Sequence, residues 1–274
     1  MLHEATSTAL GKATAYKFEY DAQLLYPIAR RLNREDLGIL DTALPFHGVD
    51  YWTSYEISWL DLRGKPCVRI ADISVDCTST YLIESKSLKL YLNSFNHTKF
   101  ENEASVKTIL ERDLTTALHT QVKVELNTVN AKVINLNVGL AGTCIDDIDI
   151  HTDVYKVQPA FLKAQGPVLR EQLYSHLLGS ICPVTAQPDW ATVLIDYQGP
   201  QLDKAGLLKY IISFRSHAEF HEACVERIFM HIMEYCQPEC LTVYARYTRR
   251  GGIDINPFRS NFAAAPGNQR LIRQ

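Results

Sequence analysis

Cys182 and Asp189 place a thiol and a carboxylate seven residues apart in one short segment. Pro183 and Pro188 disfavour a helix there, because each ring fixes its own φ and pushes the preceding residue toward an extended conformation. A thiol in such a segment can be presented to a ligand, and thiols and carboxyl groups support nucleophilic addition and proton transfer. The alternative is that Cys182 is a small buried hydrophobic residue, since free cysteine is among the most buried residue types.

His221 and Glu222 form a second candidate pair at the start of a predicted helix. Apolar residues recur after them at helical spacing and mark a buried face: Val225, Ile228, Phe229, Ile232 and Met233. Continued back by one turn, this face reaches His221 and Glu222, whose burial is costly unless each finds a partner. They are either a structural pair at a capped helix end or the ligands of a bound heterocycle with a guanine-like edge.

Two further charged segments offer binding groups. Residues 84–91 (Glu-Ser-Lys-Ser-Leu-Lys-Leu-Tyr) precede a predicted strand, and their alternating charge is typical of a solvated loop. Arg249, Arg250, Gly251 and Gly252 lie in a predicted hairpin, where glycines allow positive φ and arginines offer planar forks for phosphate. A solvated turn is the alternative for this hairpin.

The sequence does not predict a metal site. Cys236 and Cys240 lie near His231, but their spacer contains Pro238 and no second ligand pair follows. Neither a glycine-rich dinucleotide motif nor a P-loop motif occurs in the sequence. We therefore expect no metal, and no nucleotide site of the Rossmann or P-loop type.

The elements that position these residues fall into two similar series. In the first half the patterns predict a helix at 21–40, strands at 55–60 and 68–73, an extended segment at 88–92, a helix within 94–120, and strands at 121–126 and 133–138. In the second half they predict a helix at 168–178, strands at 190–197 and 207–214 around a turn at Gly199-Pro200, a helix ending at Tyr235, and a hairpin of 241–247 with 251–255.

An internal repeat is visible in the residues themselves. Residues 94–106 align without a gap on residues 213–225 and match at Ser, Phe, Glu, Ala and Val, at the same predicted junction. A duplication of this size predicts an α+β fold with two similar antiparallel sheets, each covered by helices on one face. The domain boundaries are predicted as an N-terminal arm at 1–50, a first module at 51–150 and a second module at 151–274.

Composition excludes several classes of protein. The chain has 274 residues, 46% of them hydrophobic, with 28 basic and 31 acidic residues. This charge balance gives no broad electrostatic argument for binding to nucleic acid or to an anionic membrane, so we expect neither partner and expect any anion site to be local. Residues 1–6 lack the features of a signal peptide, and the seven cysteines are irregularly spaced, so we expect a cytoplasmic protein with reduced thiols.

Taken together, four motifs resemble the two-module form of the NADPH-dependent 7-cyano-7-deazaguanine reductases, the nitrile reductases of queuosine biosynthesis. The motifs are residues 84–91, residues 182–190, Phe220-His221-Glu222, and residues 249–257. The resemblance implies tandem tunnelling-fold modules, a fold shared with GTP cyclohydrolase I, and a cytoplasmic homodimer.

The resemblance also implies roles for particular residues. Cys182 would be the nucleophile, Asp189 the proton donor, and His221 a proton source for the second reduction. The deazaguanine would be held by Ile83, Glu84, Ser85, Phe220, His221 and Glu222. NADPH would be bound by Ser85, Lys86, Arg250 and Gly251.

This chemistry agrees with the residue types. A nitrile accepts hydride poorly, whereas addition of a thiolate gives a thioimidate whose C=N bond is reduced more readily. Asp189 can protonate the nitrogen only if it is neutral beforehand, so Cys182 and Asp189 are expected to share one proton. The alternatives are a cyclohydrolase-like purine or pterin enzyme, which would normally need a metal-activated water, and a non-catalytic ring-binding module.

Overall fold

The computed structural model describes residues 17–130, 136–137 and 140–274. The expectation for residues 1–6 and the start of the predicted N-terminal arm lie outside the described residues. The same holds for most of the strand predicted at 133–138.

The chain divides into two compact units. Unit 1 comprises Met1–Glu35, Asp50–Ile134 and Arg249–Ile255; unit 2 comprises Asp36–Val49, Asn135–Thr248 and Asn256–Gln274. Each unit therefore contains segments that are distant in sequence. The domain boundaries at residues 50 and 150 stay a prediction.

Unit 1 packs its helices on one face of a sheet. Its strands are β1 (Pro27–Ala29), β2 (His47–Leu60, from residue 50 onward), β3 (Pro66–Asp76), β4 (Tyr81–Ile83) and β5 (Val122–Asn127), and its helices are α1 (Arg31–Glu35), α2 (Ser85–Asn93) and α3 (Glu103–Leu118). Strand β3 lies between β5 and β2. Every second residue of β3 from Ala71 to Val75 is buried, in one core with Leu88 of α2 and Leu110 of α3.

Unit 2 repeats this plan with longer strands. Its strands are β6 (Leu136–Asn137), β7 (Thr143–Cys144), β8 (Ala164–Ile181), β9 (Pro188–Leu202), β10 (Cys240–Tyr247), β11 (Ile253–Ser260, from residue 256 onward) and β12 (Arg270–Leu271), and its helices are α4 (Lys204–Ile212) and α5 (His221–Cys236). The order in the larger sheet is β11-β10-β9-β8-β7, in which the β7–β8 pair is parallel and the other pairs are antiparallel, and β6 and β12 form a separate parallel pair. The α+β class with mainly antiparallel sheets is confirmed.

The helices support the predicted duplication. Helices α2 and α4 have nine residues each, and α3 and α5 have sixteen each. The two long helices also end alike, in a left-handed residue: His119 after α3, with φ 55°, and Gln237 after α5, with φ 51°. None of the helices in the described part of the chain is both long and apolar enough to span a membrane.

Two segments predicted as strands are helices, so that prediction was wrong. Residues 88–92 lie in α2, and residues 207–212 lie in α4. The alternation of leucine with Lys89 and Tyr91 suggested a strand. The buried residues of α2 instead recur with helical spacing: Ser87, Leu88, Tyr91 and Leu92.

The helix predicted at 168–178 is also wrong, because this segment belongs to β8. Its residues pair with β9 from Val168 opposite Pro200 to Ile181 opposite Pro188, with a register shift between Ser175 and Leu178. Long-range pairing therefore overrides a local composition that suits a helix. The predicted turn at Gly199-Pro200 is wrong for the same reason, since both residues lie inside β9.

The helix predicted at 21–40 is replaced by short elements. A 3-10 turn (Ala22–Leu24), β1 and α1 occupy this segment, and Pro27 cannot donate the backbone hydrogen bond that a continuous helix requires. Buried arginines fix it within unit 1. Arg30 pairs with Asp50 at 2.5 Å, and Arg34 donates to the Cys77 carbonyl at 2.7 Å.

Candidate active site

Cys182 lies in the tight loop that joins β8 to β9. Its N–H donates to the Gln187 carbonyl at 2.8 Å, and its own carbonyl accepts from Ala186 N–H at 3.0 Å. Ala186 has a positive φ of 55°, which closes the loop. The Cys182 residue is 4% exposed, and none of the seven cysteines, all of which are described, forms a disulfide.

The start of α5 is fixed beside the end of β8. The N–H of Ile181 donates to the His217 carbonyl at 2.8 Å, and Glu219 N–H donates back to the Ile181 carbonyl at 3.1 Å. These two bonds hold the segment that leads into His221 next to the residue that precedes Cys182. Backbone pairing therefore brings the thiol loop and the predicted His-Glu pair together.

Asp189 and His221 are in direct contact. Asp189 lies in β9 opposite Ser180 and is 5% exposed. Its Oδ2 lies 3.3 Å from Nε2 of His221, the first residue of α5. The structure thus joins two of the three predicted catalytic side chains through one polar contact.

Tyr247 is a site residue that the sequence analysis missed. Its ring stacks face to face on the His221 ring, with centroids 3.7 Å apart and an interplanar angle of 0°. Burial raises the pKa of the Tyr247 hydroxyl well above its usual value, so the group is neutral. The buried Nδ1 of His221 has no hydrogen-bond partner among the described residues and can therefore serve a ligand.

Glu222 and Phe220 complete the start of α5. Glu222 is buried in the first turn, where a carboxylate interacts favourably with the helix dipole. Phe220 occupies the N-cap position and is half-buried, and its side chain cannot cap the helix. Helix α5 therefore has an aromatic ring at its N-cap position, where a serine, threonine, aspartate or asparagine is usual.

Glu219 and Arg227 are supporting residues that the sequence analysis also missed. The buried Glu219 carboxylate contacts His217 Nε2 at 3.0 Å and accepts from Arg227 at 2.7 Å. Burial alone would raise the pKa of Glu219, but hydrogen bonds from His217 and Arg227 outweigh it and lower that pKa. Glu219 is thus held ionised just before Phe220.

In unit 1, Glu84 caps helix α2. The residue is 0% exposed, and its two carboxylate oxygens accept from the N–H groups of Lys86 at 2.9 Å and Ser87 at 2.8 Å. The prediction of a solvated loop before a strand was therefore wrong. Ile83 is buried in β4, and Ser85 is the first, half-buried residue of α2.

The predicted cofactor residues are brought together in unit 1. Arg250 and Gly251 lie in the hairpin before β11, where Gly251 and Gly252 both have positive φ. Lys89 of α2 pairs with Glu56 at 2.5 Å and also donates to the Gly251 carbonyl. The hairpin therefore contacts the helix that carries Ser85 and Lys86.

These residues fit a phosphate-bearing dinucleotide. Lys86 and Arg250 supply positive charge, and the exposed Gly251 allows close approach of a ligand to the backbone. Gly252 has a positive φ of 77°, a backbone conformation that residues with side chains rarely adopt, so a substitution there would be strained. The amides at the start of α2 are already capped by Glu84, and the positive side chains are the better phosphate ligands.

The predicted site residues thus fall into two sets. Cys182, Asp189, Phe220, His221 and Glu222 lie in unit 2, whereas Ile83, Glu84, Ser85, Lys86, Arg250 and Gly251 lie in unit 1. Cys236 and His231, which lie close together in the sequence, have structural surroundings. Burial raises the pKa of Cys236 to about 11, and His231 Nδ1 lies 2.8 Å from the Tyr210 hydroxyl.

Two family models match parts of this chain. A family model described as "Nitrile reductase, 7-cyano-7-deazaguanine-reductase N-term" matches residues 16–126, and one described as "QueF-like protein" matches residues 188–265. The solved structure of the archaeosine synthase QueF-Like in the apo form aligns with 37% of this chain and 100% of its own, at 16% identity and a TM-score of 0.32.

A curated relative extends over almost the entire chain. The NADPH-dependent 7-cyano-7-deazaguanine reductase of Dechloromonas aromatica (strain RCB) is 53% identical over 271 residues, which is 98% of this chain and 95% of that protein. Since the similarity covers nearly all of both chains, this chain belongs to the family of NADPH-dependent 7-cyano-7-deazaguanine reductases.

Proposed function

We propose that this chain reduces the nitrile of 7-cyano-7-deazaguanine to 7-aminomethyl-7-deazaguanine with NADPH, as a step of queuosine biosynthesis. Family membership identifies the reaction. The observation that carries the mechanism is the contact of Asp189 with His221 at the start of α5, which is bonded to the strand end that precedes Cys182. These contacts support a mechanism in which the Cys182 thiol acts together with two groups that can exchange protons.

The first step is addition of the Cys182 thiol to the nitrile carbon. The C–S bond forms, one π bond of the nitrile opens, and the nitrogen takes a proton, giving a thioimidate. Asp189 donates this proton when it is neutral, and the Cys182 thiol loses its own proton to the same polar group. The tight loop and low exposure of Cys182 exclude water from the adduct.

The second half of the reaction returns the thiol. When bound, NADPH supplies one hydride to the thioimidate and, after exchange, a second to the imine that forms as the C–S bond breaks. His221 gives a proton to the nitrogen in this proposal, and the contact of its Nε2 with Asp189 and the stacking of its ring on Tyr247 support that role. Asp189 and His221 therefore act as one proton-exchanging pair.

Substrate recognition is assigned to the acidic groups and to Phe220. The buried Glu222 carboxylate can accept N–H bonds from the deazaguanine edge, and Phe220 can stack on or gate the ring. Glu84 already accepts two backbone bonds, but each carboxylate oxygen has a further lone pair for a ligand N–H. Ile83 and Ser85 stay predicted substrate contacts next to it.

The cofactor residues are assigned by charge and position. Lys86 and Arg250 would hold the phosphates of NADPH, with Ser85 and the Gly251 backbone as hydrogen-bonding groups. The contact between Lys89 and Gly251 supports this assignment, since it ties the hairpin to α2. A cytoplasmic homodimer that binds neither nucleic acid nor membrane is part of the same proposal.

The test is oxidation of NADPH on addition of the nitrile. Two NADPH should be consumed per nitrile, because two hydride transfers separate a nitrile from an amine. Cys182→Ala should abolish this consumption while the protein still binds the nitrile, and Cys67→Ala, which removes a partly exposed thiol in unit 1, should not. Persistent turnover by Cys182→Ala would refute the covalent mechanism.

Mass spectrometry of the intact chain separates addition from reduction. Without NADPH, the wild-type chain should gain the mass of the nitrile, and Asp189→Asn should form this adduct roughly a hundredfold more slowly or worse. An unchanged adduct rate in Asp189→Asn would exclude Asp189 as the proton donor. Consumption of GTP without NADPH would favour a cyclohydrolase-like activity instead.

A further inference from the structure

A cysteine, an aspartate and a histidine outside the predicted catalytic residues converge in unit 2. Cys144 ends β7, Asp146 follows two residues later, and His176 lies in β8, which pairs in parallel with β7. The thiol sulfur, a carboxylate oxygen and an imidazole nitrogen all lie within 4.8 Å of one another. We propose that these three side chains bind a zinc ion.

The spacing suits a tetrahedral ion after small side-chain movements. Zinc bonds of about 2.0–2.3 Å in a tetrahedron separate the ligand atoms by roughly 3.3–3.8 Å. The three atoms lie within 4.8 Å of one another, so rotation of partly exposed side chains can bring them onto the ion. Water supplies the fourth ligand.

The surrounding hydrogen bonds already orient the ligands. The backbone N–H of His176 donates to Oδ2 of Asp146 at 3.0 Å, and Nδ1 of the His176 ring lies 2.8 Å from the Thr192 hydroxyl. A neutral imidazole that donates through Nδ1 keeps the lone pair on Nε2 for a metal. Such outer contacts are the usual way in which proteins fix a ligating histidine.

A buried oxygen of Asp146 supports the same conclusion. Its Oδ1 is shielded from solvent and has no hydrogen-bond partner among the described residues, although Oδ2 is bonded. Leaving such an oxygen unsatisfied is costly, and a cation would satisfy it. This observation is independent of the ligand spacing.

The ligand types select zinc over magnesium or calcium. A thiolate and an imidazole are ligands that zinc prefers, whereas the two lighter cations take oxygen ligands. One thiolate and one carboxylate also balance the double charge of the ion. The bound ion would tie the segment of Cys144 and Asp146 to β8, which is a structural role.

Zinc binding can be measured on the untagged, full-length chain after chelator treatment and dialysis. One zinc per chain is expected by elemental mass spectrometry, with an affinity that Cys144→Ala weakens more than about a hundredfold, since loss of an outer contact alone costs 10–100-fold. Cys240→Ala, which removes another partly exposed thiol of unit 2, should bind like wild type.

Cobalt(II) bound in place of zinc reports whether the Cys144 thiolate is a metal ligand. The wild-type chain and Cys240→Ala should show a sulfur-to-cobalt charge-transfer absorption that Cys144→Ala lacks. Thr192→Val, which removes the contact to the His176 ring, should keep the absorption and weaken affinity about tenfold.

Equal zinc content in wild type and Cys144→Ala, or no binding of micromolar zinc by the wild type, would overturn the proposal. Nitrile-dependent NADPH oxidation checks that each variant is folded, because none of these residues belongs to the proposed catalytic set. If Cys144→Ala lacks that activity, His176→Gln replaces it with the same expected loss of zinc.

Discussion

The short helix that follows the first two long strands begins differently in the two units. In unit 1, α2 is capped by Glu84, whose buried carboxylate accepts two backbone N–H bonds. In unit 2, α4 is capped by Asp203, an exposed carboxylate that accepts from Ala205 N–H at 3.1 Å. The position is the same and the helices are equally long, but only the first copy buries its acid.

The long helix shows the opposite distribution. In unit 1, α3 is capped by the exposed Asn102, which accepts from Ser105 N–H at 2.9 Å. In unit 2, α5 has Phe220 at the cap position without a side-chain hydrogen bond, followed by His221 and the buried Glu222. At the long helix it is therefore unit 2 that contains polar groups whose burial costs free energy.

This contrast distinguishes the residues that a helix needs in order to start from the residues that folding alone does not explain. The exposed caps Asp203 and Asn102 show that an ordinary residue is enough to start each helix. Burial of a carboxylate or an imidazole adds a desolvation cost that folding does not require. Glu84 and His221, which differ in residue type from their counterparts, and Glu222, which is buried where Glu103 is only partly buried, are therefore the positions where a bound ligand best explains the sequence.

The strongest test exchanges the residues that differ at the long helices. His221→Asn installs the amide of the first copy, and we expect kcat for nitrile reduction to fall by roughly a hundredfold or more, because the proton-exchanging partner of Asp189 is lost. The melting temperature should be retained, since asparagine is favourable at a helix start. Steady-state kinetics and thermal unfolding measure the two effects.

The reciprocal change, Asn102→His, is the matched control. It should lower stability by about 1 kcal/mol and leave kcat unchanged. If both exchanges reduced stability and neither changed kcat, the difference between the copies would be structural only.

A second test compares the two short helices. Glu84→Ala leaves two backbone N–H groups without their buried acceptor and should lower the free energy of unfolding by about 3 kcal/mol. Asp203→Ala removes an exposed cap and should cost about 1 kcal/mol. Urea unfolding of the two variants measures this difference, and equal costs would show that burial of Glu84 has no special role in α2.

Part of this comparison was visible in the sequence. The aligned residues 94–106 and 213–225 span the starts of both long helices, and the stripe from Val225 to Ile232 correctly predicted the buried face of α5. These signals are local, because a helix repeats its contacts every three or four residues.

Other features depend on contacts between distant segments. Leu88 and Leu92 fit a strand and a helix equally well by spacing, and only packing against unit 1 shows that α2 is helical. Residues 168–178 became a strand through pairing with β9. Tyr247 of β10 stacks on His221 of α5, and no spacing along the chain reveals that contact.

A smaller effect is expected in the hairpin of unit 1, where the neighbouring residues Arg249 and Arg250 can be compared. Arg250→Ala should raise KM for NADPH about tenfold and leave KM for the nitrile unchanged, because one charge-assisted phosphate contact is lost. Arg249→Ala is the control, since Arg249 lies over the Tyr55 ring at 4.5 Å and is exposed. Equal effects of the two changes on both substrates would indicate a purely structural hairpin.

The last prediction concerns the pH dependence of stability and His231, which lies in the C-terminal half of α5, away from His221 and Glu222. Burial, with the nearby charge of Arg227, lowers the pKa of His231 from 6.5 to about 4. Between these values the unfolded chain binds a proton that the folded chain does not, so stability falls as pH drops from about 6.5 toward 4. His231→Gln can keep the contact to the Tyr210 hydroxyl and should flatten the pH dependence of the urea midpoint, whereas the exposed His97→Gln should not. An unchanged slope in His231→Gln would mean that the pKa of His231 does not differ between the folded and the unfolded chain.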